Sequence, residues 1–445
     1  MNLTSRPLVI DRHQIARRAA LAAAVIFVAT SCGTTASSPE SNAHLTKGWN
    51  SGLTDTEVRV GFAYFAGGKG KATDEPTGAS DPAVAQTLAV IDHINAQGGA
   101  AGRTMVPVWH RYQFDAASAD AEGQALCTDF TQDREVFVSG TADSSLMQEC
   151  FAAQGVPQVV DAVTAAGATF DRDPYLVSTP VLSLTRLMRS QVEVLAAHDF
   201  FQPDAKIGFF AFDSPEFVDA EEQGLKPALS AHGLSVAEEF LLSRPETPAD
   251  VAETLAQVAS AGLKFRDAGI DHVIFLGGSP QFMIDAEKQG YRPRYAISTW
   301  DYPSDLRANG VPEEQLHNAA GIGYSPAKDI ADYKTQAHPP GRQQCLAIMS
   351  AHDLHPKSGV DEAGMLSICD QVFLIKDALE SAEKPVNGDT FMKAVYQLGD
   401  GFTPASTWQV DYSEESRDGV AAVRYLEYGT ECQCFRYAGD PVDAE

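Results

Sequence analysis

The residues EVRVGFAYF (57–65) and the segment IDHINAQGGAAGR (91–103) together predict the fold class. The first segment alternates and is rich in β-branched and aromatic residues, which is typical of a strand. The second ends a helix, for which Asp81 is suited as the N-cap and Gly98–Gly99 as the stop. A further strand at Met105–His110 would complete a β-α-β unit. We therefore expect an α/β fold with a mainly parallel sheet.

A glycine-rich loop, GGKGKATDEPTGASDP (67–82), joins this strand to this helix and is close to a phosphate-binding loop. No glycine, however, stands five residues before either Gly68 or Gly70. Ala72 also follows Lys71 where a serine or threonine would hold magnesium. The loop is therefore predicted to face a ligand but not to bind a nucleotide.

Length and charge limit the classes of function. The chain has 445 residues, enough for two domains with cores of their own, and a formal net charge of −27. An acidic chain without a basic cluster is repelled by nucleic acids and by anionic membrane surfaces. We therefore expect no nucleic-acid partner.

Motifs of catalysis are absent from the sequence. It contains no Gly-x-Ser-x-Gly, no His-Glu-x-x-His and no dinucleotide-binding motif. The only local histidine cluster, His352-Asp353-Leu354-His355, is predicted to be a solvated loop, with a metal site as the alternative. We therefore expect no enzyme activity, no metal and no cofactor.

Residues 1–31 have the features of an export signal. Arginines precede a short apolar run, Ala19–Ser31, which ends in ATSC at Cys32. This junction resembles the bacterial lipobox, in which the signal is cleaved before a cysteine that carries lipid. An ordinary cleaved signal peptide is the alternative. In the lipoprotein interpretation, residues 32–55 are a lipid anchor and flexible tether at the outer face of the cell membrane.

Several segments resemble one known family. They are the opening strand and helix, then KIGFFAFDSPEF (206–217), AGIDHVIFLGGSPQF (268–282) and GYRPRYAIST (290–299). They are similar to the type I periplasmic solute-binding proteins of the leucine/isoleucine/valine-binding class, which serve ABC importers. The similarity covers residues 56–437. It implies two lobes, each a mainly parallel sheet flanked by helices, joined by hinge crossings beside a ligand cleft.

The alternation of strands and helices allows the lobes to be assigned along the chain. The proline-bounded segment 171–180, expected to be extended, and GIGYSP (321–326) are the predicted crossings. Alternation near the C-terminus predicts a hairpin over Ala421–Tyr437. We expect lobe I to comprise 56–176 and 322–405, and lobe II to comprise 177–321 and 406–445.

Six cysteines besides Cys32 indicate disulfides, because an even number in an exported protein is typical of a disulfide framework. A metal site is the competing interpretation, but no histidine lies at ligand spacing beside them. Members of the family often have a disulfide near the first two of these cysteines. Proximity in the inferred fold favours the pairs Cys127–Cys150, Cys345–Cys369 and Cys432–Cys434, the last of which would close a very small ring.

Ligand-binding residues are expected where parallel strands end, because helix N-termini direct unpaired N–H groups to that edge. Two such edges facing each other across a hinge would form a cleft. The ends in the first lobe are Tyr64–Gly70, Thr141–Ser145 and Ala162–Thr164. Those in the second lobe are Asp213–Phe217, Gly277–Ser279 and Thr299–Asp301.

The resemblance implies roles for some of these residues. In the family, a serine-rich turn after the third strand and an Ala-x-Thr after the fourth bind the carboxylate of the ligand. An acidic residue after the strand RYAIS would accept its ammonium group, which points to Asp301. The serines and threonines could instead be helix caps, and Asp301 a loop residue. The candidate ligand-binding residues are Tyr64, Thr141, Ser144, Ser145, Ala162, Thr164, Asp213, Phe217, Ser279 and Asp301.

The long loop at 67–82 departs from the family, whose amino-acid receptors have a short turn there. The ligand class therefore stays open among amino acids, amides and related small polar compounds. We expect a monomeric, membrane-anchored receptor that delivers its ligand to the subunits of an ABC permease. A sensory binding module of the same fold is the alternative, and an exported hydrolase is a third.

Overall fold

The computed structural model describes residues 48–65, 76, 81–112, 119–140, 145–160, 167–243, 250–335 and 338–445. All of them belong to one structural unit, which spans residues 45–445. The predicted signal peptide, Cys32 and most of the predicted tether lie outside the described residues. So does nearly all of the glycine-rich loop.

The first lobe is built on the strands β1 (Glu57–Phe65), β2 (Thr104–Tyr112), β3 (Val138–Ser139), β4 (Gln158–Val160) and β5 (Leu176–Ser178). Their order in the sheet is β2-β1-β3-β4-β5, and all neighbours are parallel. The long strands β1 and β2 pair along their whole length, from Glu57↔Thr104 to Phe65↔Tyr112. The predicted β-α-β unit is therefore confirmed.

The second lobe contains the strands β6 (Ile207–Phe212), β7 (Val236–Leu242), β8 (His272–Leu276), β9 (Arg294–Ser298), β10 (Ala320–Gly323), β11 (Ala422–Gly429) and β12 (Cys434–Asp443). Their order is β12-β11-β10-β9-β8-β6-β7. The sheet is parallel up to β10, and β11 is antiparallel to both β10 and β12. This antiparallel edge is the C-terminal hairpin that the sequence predicts.

Helices cover both sheets, as expected for an α/β fold. Within the described residues they are α1 (Pro82–Ala96), α2 (Ala119–Thr128), α3 (Ser145–Gln154), α4 (Gly167–Arg172), α5 (Leu184–Ala197), α6 (Pro215–Ala220), α7 (Lys226–Ala231), α8 (Val251–Ala268), α9 (Ser279–Lys288), α10 (Glu313–Leu316), α11 (Pro326–Asp329), α12 (Arg342–Ala351), α13 (Gly359–Ser381) and α14 (Gly388–Leu398).

The start of α1 confirms the predicted cap. Asp81 has extended backbone angles, and its side chain accepts a hydrogen bond from the Ala83 N–H at 2.9 Å. Gly98 and Gly99 follow the helix with φ values of +108° and +77°, which L-residues rarely adopt. The glycines therefore end the helix and turn the chain toward β2.

The segment 171–180 differs from its prediction as extended chain. Asp171 and Arg172 end α4, and the strand β5 begins only at Leu176. Asp173 makes the turn between them, because its Oδ1 accepts a hydrogen bond from the Tyr175 N–H at 2.9 Å. This short turn at the aspartate separates the end of a helix from a strand, whereas the sequence pattern predicted one extended segment.

Each sheet is buried under apolar side chains. In the second lobe, the consecutive residues Phe209 and Phe210 of β6 pack into different cores, so that sheet is covered on both faces. In the first lobe, α13 packs its apolar face against strand residues such as Val60 and Val159. The helix α13, which spans Gly359–Ser381, therefore covers the sheet of the first lobe.

The chain passes between the two sheets three times, after β5, after β10 and after α14. The first two passages are the predicted crossings. At the third, Val410 and Tyr412 still pack in the core of the first lobe. The lobe boundaries stay a prediction, and this packing favours a start for the last segment of lobe II that lies beyond residue 406.

All three predicted disulfide pairs are present. Cys127–Cys150 joins α2 to α3, and Cys345–Cys369 joins α12 to α13. Cys432–Cys434 closes the small ring in the turn between β11 and β12. The cysteines are therefore structural cross-links, and they leave no free thiol in the described part of the chain.

Candidate functional site

The carboxyl ends of β8 and β9 meet at a cavity. Its volume is about 250 Å³. Val360, near the start of α13, reaches it from the first lobe, so the cavity lies where the two lobes meet. The described lining residues are Gly277, Gly278, Ser279, Pro280, Trp300, Asp301, Tyr302, Asp305, Asn309 and Val360. The structure therefore brings together Ser279 and Asp301, two of the predicted ligand-binding residues.

Two glycines shape one wall of this cavity. Gly277 and Gly278 both have positive φ, at +107° and +72°. A Cβ added at Gly277 would lie 2.7 Å from the ring of Phe212. This turn starts α9 at Ser279, so the hydroxyl of Ser279 and the N-terminal end of the helix border the cavity. Helix N-termini favour hydrogen-bond acceptors and negative charge.

Asp301 also lines the cavity. It lies in a short 3₁₀ turn after β9, and its Oδ2 accepts hydrogen bonds from the Ser298 N–H at 2.8 Å and from the Ser298 hydroxyl at 3.3 Å. The residue is only 5% exposed. Its other oxygen, Oδ1, has no hydrogen-bond partner among the described residues. A buried acceptor without a partner is costly, so Oδ1 is suited to receive a donor from a ligand.

Burial controls the protonation of this carboxyl group. Loss of solvent raises the pKa of Asp301 to about 6, against the lowering effects of the nearby Ser279 hydroxyl and of the Ser298 N–H and hydroxyl. At neutral pH the group is still mainly a carboxylate. It can therefore bind an ammonium group or an amide N–H.

Aromatic side chains border the carboxylate. Trp300 is half-buried and lines the cavity, and Phe217 packs against its ring with centroids 6.1 Å apart. Tyr302 has a left-handed backbone, and the Lys328 ammonium lies 5.0 Å from the centre of its ring. Phe217 itself is buried in a core of the second lobe. It therefore supports the wall of the cavity through Trp300 and is not part of the described lining.

The negative charge of the cavity lining favours a ligand group that donates hydrogen bonds. Asp301 and Asp305 supply carboxylates, and Asn309 supplies an amide. The described lining contains neither lysine nor arginine. Asp213, another candidate, is exposed at the end of β6 and is not among the described lining residues. The second-lobe side of the site is therefore suited to the hydrogen-bond-donating end of a solute.

A family model described as periplasmic binding protein matches residues 57–419 of this sequence. The chain belongs to the periplasmic binding protein family. The resemblance to the type I, leucine/isoleucine/valine-binding class is thereby confirmed. No protein of curated function matches the sequence.

Solved structures of similar fold are substrate-binding proteins. A fatty acid ABC transporter substrate-binding protein from Thermomonospora curvata has a TM-score of 0.62 and 15% identity, covering 89% of this chain and 95% of that one. A possible leucine/isoleucine/valine-binding protein from Rhodopirellula baltica has a TM-score of 0.60 and 16% identity, covering 86% and 96%. A solute-binding protein from Rhodopseudomonas palustris, in complex with 3,4-dihydroxybenzoic acid, has a TM-score of 0.59 and 16% identity, covering 87% and 98%. At these identities the likeness shows a shared two-lobed fold.

The first-lobe half of the site in this periplasmic binding protein is described only in part. Thr141, Ser144, Ala162 and Thr164 lie outside the described residues. Ser145 is the first residue of α3, but its side chain is outside the described part. The carboxylate-binding role of these turns stays a prediction.

Tyr64, the remaining first-lobe candidate, is part of the core. It is 3% exposed and lies edge-on to Trp109, with ring centroids 6.3 Å apart. Its alternation in β1 is that of an inward-facing strand residue. Tyr64 is therefore not an exposed wall of the cleft.

The structure also shows a buried carboxyl group that the sequence analysis did not select. Asp329 is fully buried at the second crossing, and its Oδ2 accepts hydrogen bonds from the Ser325 N–H at 2.9 Å and the Tyr437 hydroxyl at 2.5 Å. Burial raises the pKa of Asp329 to about 7. Only its place in the segment after GIGYSP, which was predicted to cross between lobes, could have marked it.

Neither a metal-binding cluster nor a membrane-spanning helix is present in the described ranges. No group of three or more histidine, cysteine or acidic side chains there is placed to hold a metal ion. His352 and His355 are exposed beyond the end of α12. No helix of these ranges is long and apolar enough to cross a membrane.

Proposed function

We propose that this periplasmic binding protein captures a small polar solute between its lobes and delivers it to an ABC permease. The family and the substrate-binding roles of proteins with the same fold support this function. The single observation that carries it is Asp301, whose buried carboxylate lines a cavity where the two lobes meet and has one oxygen without a hydrogen-bond partner among the described residues.

The acidic side chains of the cavity support a solute with a hydrogen-bond donor at one end. Asp301 and Asp305 would accept hydrogen bonds from an ammonium or amide group. The serines and threonines of the first-lobe turns, Ser144, Ser145 and Thr164, would bind a carboxylate or carbonyl at the other end. An amino acid or an amide has both ends in one small molecule.

The size of the cavity supports the same class. Pockets for drug-sized ligands have volumes of roughly 300–1,000 Å³. The cavity at Asp301 has about 250 Å³. Solved relatives bind leucine and 4-hydroxybenzoate. Of these two, leucine has the ammonium group that the acidic lining would select.

The location follows from the family, which is extracytoplasmic. We propose further that Cys32 is the lipidated N-terminus of the mature protein and that residues 32–55 tether it to the membrane. Cys32→Ser should release the protein from the membrane fraction or leave the precursor uncleaved. Unchanged processing and unchanged membrane association would contradict the anchor.

The binding function is tested by thermal-shift measurements with amino acids, amides and hydroxybenzoic acids. A ligand at a hundredfold excess over its Kd stabilises the folded state by about 2.7 kcal/mol, which is easily detected. Asp301→Asn should weaken the best binder by tenfold or more, because a charge-assisted hydrogen bond contributes about 1.5–3 kcal/mol. Asp267→Asn is a suitable control, since the Asp267 side chain is 71% exposed on α8, away from the cavity. Equal affinity in both variants would exclude Asp301 from the site.

A further inference from the structure

One buried glutamine joins the two strand ends that precede the first-lobe turns. Gln371 lies on α13 and is 7% exposed. Its Nε2 donates one hydrogen bond to the Gly140 carbonyl and one to the Val159 carbonyl, both at 2.8 Å. Both partners are acceptors, so the atom that faces them must be the amide nitrogen.

The backbone pattern shows where this side chain acts. The ladder between β3 and β4 contains a single pair, Ser139↔Gln158. The Ser139 N–H donates to the Pro157 carbonyl, and alternate carbonyls of a strand face the same neighbour. The Val159 carbonyl therefore faces the side of β3, beyond its last residue. Gln371 donates to this carbonyl at the point where the described ladder ends.

Both carbonyls stand next to predicted ligand-binding turns. Gly140 directly precedes the turn that contains Thr141 and Ser144. Val159 belongs to β4, which leads within three residues to Ala162. The Gly140 N–H is itself bound to the Gly61 carbonyl of β1 at 2.7 Å. The side chain of Gln371 thus fixes the Gly140 carbonyl to β4 from the opposite side.

We propose that Gln371 is a positioning residue for ligand binding, whose single amide sets the spacing of the two strand ends that carry the first-lobe turns. This proposal rests on the proposed function. A primary amide is the group that suits the role, because it has two N–H donors on one atom. Methionine has a similar length and no donor, and glutamate would direct a negative charge at two carbonyl oxygens.

Ser367 provides a matched control. It lies one helical turn before Gln371 on the same helix and is also 7% exposed. Its hydroxyl is buried without a hydrogen-bond partner among the described residues. Ser367→Ala therefore alters a buried polar side chain of α13 without breaking a hydrogen bond to a strand end.

The first test is hydrogen–deuterium exchange of the full chain without ligand. In Gln371→Met, amide exchange should rise about tenfold in peptides that cover both 138–145 and 158–166, and in Gln371→Glu it should rise further. Ser367→Ala should leave both segments unchanged. Unchanged exchange at either segment in Gln371→Met would overturn the proposal, because the two strand ends would then be held without the amide.

The second test separates positioning from simple stabilisation. The probes are L-leucine, L-glutamine, acetamide and 4-hydroxybenzoate, and the tightest binder of the wild type is used for calorimetry. Gln371→Met should weaken that probe at least tenfold, and the fully folded Ser367→Ala protein should bind it normally. Full affinity in folded Gln371→Met would reduce Gln371 to a stabilising residue and overturn the proposal. If the wild type binds no probe, the proposed ligand class fails, whereas unchanged exchange in Gln371→Met would still overturn the proposal for Gln371.

Discussion

Asp301 and Asp329 are both buried carboxyl groups, and each has one oxygen that is hydrogen-bonded and one without a partner among the described residues. They differ in position. Asp301 lines the cavity, whereas Asp329 is enclosed at the second crossing between the Ser325 N–H and the Tyr437 hydroxyl. The same chemical group therefore has two expected consequences, one for ligand affinity and one for stability.

Affinity for a cationic or amide probe is expected to fall in acid. Since the pKa of Asp301 is raised to about 6, the group is a carboxylate at pH 7.5 and mainly a neutral acid at pH 5. Protonation removes the charge that attracts the donor, so the affinity for an ammonium probe should fall about tenfold from pH 7.5 to pH 5. Calorimetry at these pH values measures the effect. Asp301→Asn should bind weakly at every pH, and a wild-type affinity that is constant from pH 7.5 to pH 5 would contradict the role.

Protonation of Asp329 is expected to stabilise the folded protein in acid, whereas protonation of Asp301 weakens ligand binding. The pKa of Asp329 is about 7 in the folded protein against an ordinary value of 3.8 in the unfolded chain, so the folded state holds the proton more tightly. The stabilisation is fully present below pH 3.8 and is lost as the pH rises to 7 and beyond. Asp329→Asn keeps the group neutral and should flatten the dependence of Tm on pH between 5 and 8. Parallel Tm curves for wild type and variant would show that Asp329 does not titrate in this range.

At the level of elements, the strands and helices with a clear period were predictable. The alternation of Glu57–Phe65 and the cap at Asp81 gave the β-α-β unit, and the strand Arg294–Ser298 was placed with correct ends. The turn at Asp173 was not predictable, because a short strand and the end of a helix share one polar, proline-containing segment. The role of Gln371 was not predictable either, since it depends on contacts with residues more than 200 positions away.

The candidate site was partly predictable, because two of its residues follow strands with a clear sequence pattern. Asp301 and Ser279 follow strands whose ends are fixed by pattern, so their meeting at one sheet edge followed from the fold. Phe217 lies in a core behind Trp300, and an aromatic residue after a strand end has the same sequence pattern in a core as in a cleft wall. Burial, which separates the two, is a property of the tertiary structure.

The turn before α9 gives a prediction about one element. Gly277→Ala should destabilise the protein by about 1–3 kcal/mol, because φ is +107° there and the new Cβ would lie 2.7 Å from the Phe212 ring. Gly364→Ala is the control, since its added Cβ meets no heavy atom within 4 Å in the helix α13. The control should be neutral or stabilising by about 0.5–1 kcal/mol. Urea unfolding measures both, and equal midpoints for the two variants would contradict the argument.

At the scale of the whole molecule, two of the three crossings are bound to each other. The Ser178 N–H donates to the Arg417 carbonyl at 2.9 Å, and the Ser183 N–H donates to Asp418 Oδ2 at 2.8 Å. Asp418 also pairs with Arg186 of α5. The first and third crossings are therefore joined by hydrogen bonds. The second crossing, which carries Asp329, is separate from them in sequence. Rotation of one lobe against the other would be absorbed in these short segments.

Ligand should close the lobes about these crossings. The cavity is lined by second-lobe residues and by Val360 of the first lobe, so a solute held at Asp301 stabilises the arrangement in which both lobes contact it. Small-angle scattering of the wild type at saturating probe should therefore give a smaller radius of gyration than without it. Asp301→Asn should need at least tenfold more probe to reach the smaller radius, because it lacks the charged contact that joins the solute to the second lobe. A wild-type radius that does not change at saturation would mean that the solute binds without closure, and the hinge role of the crossings would have to be abandoned.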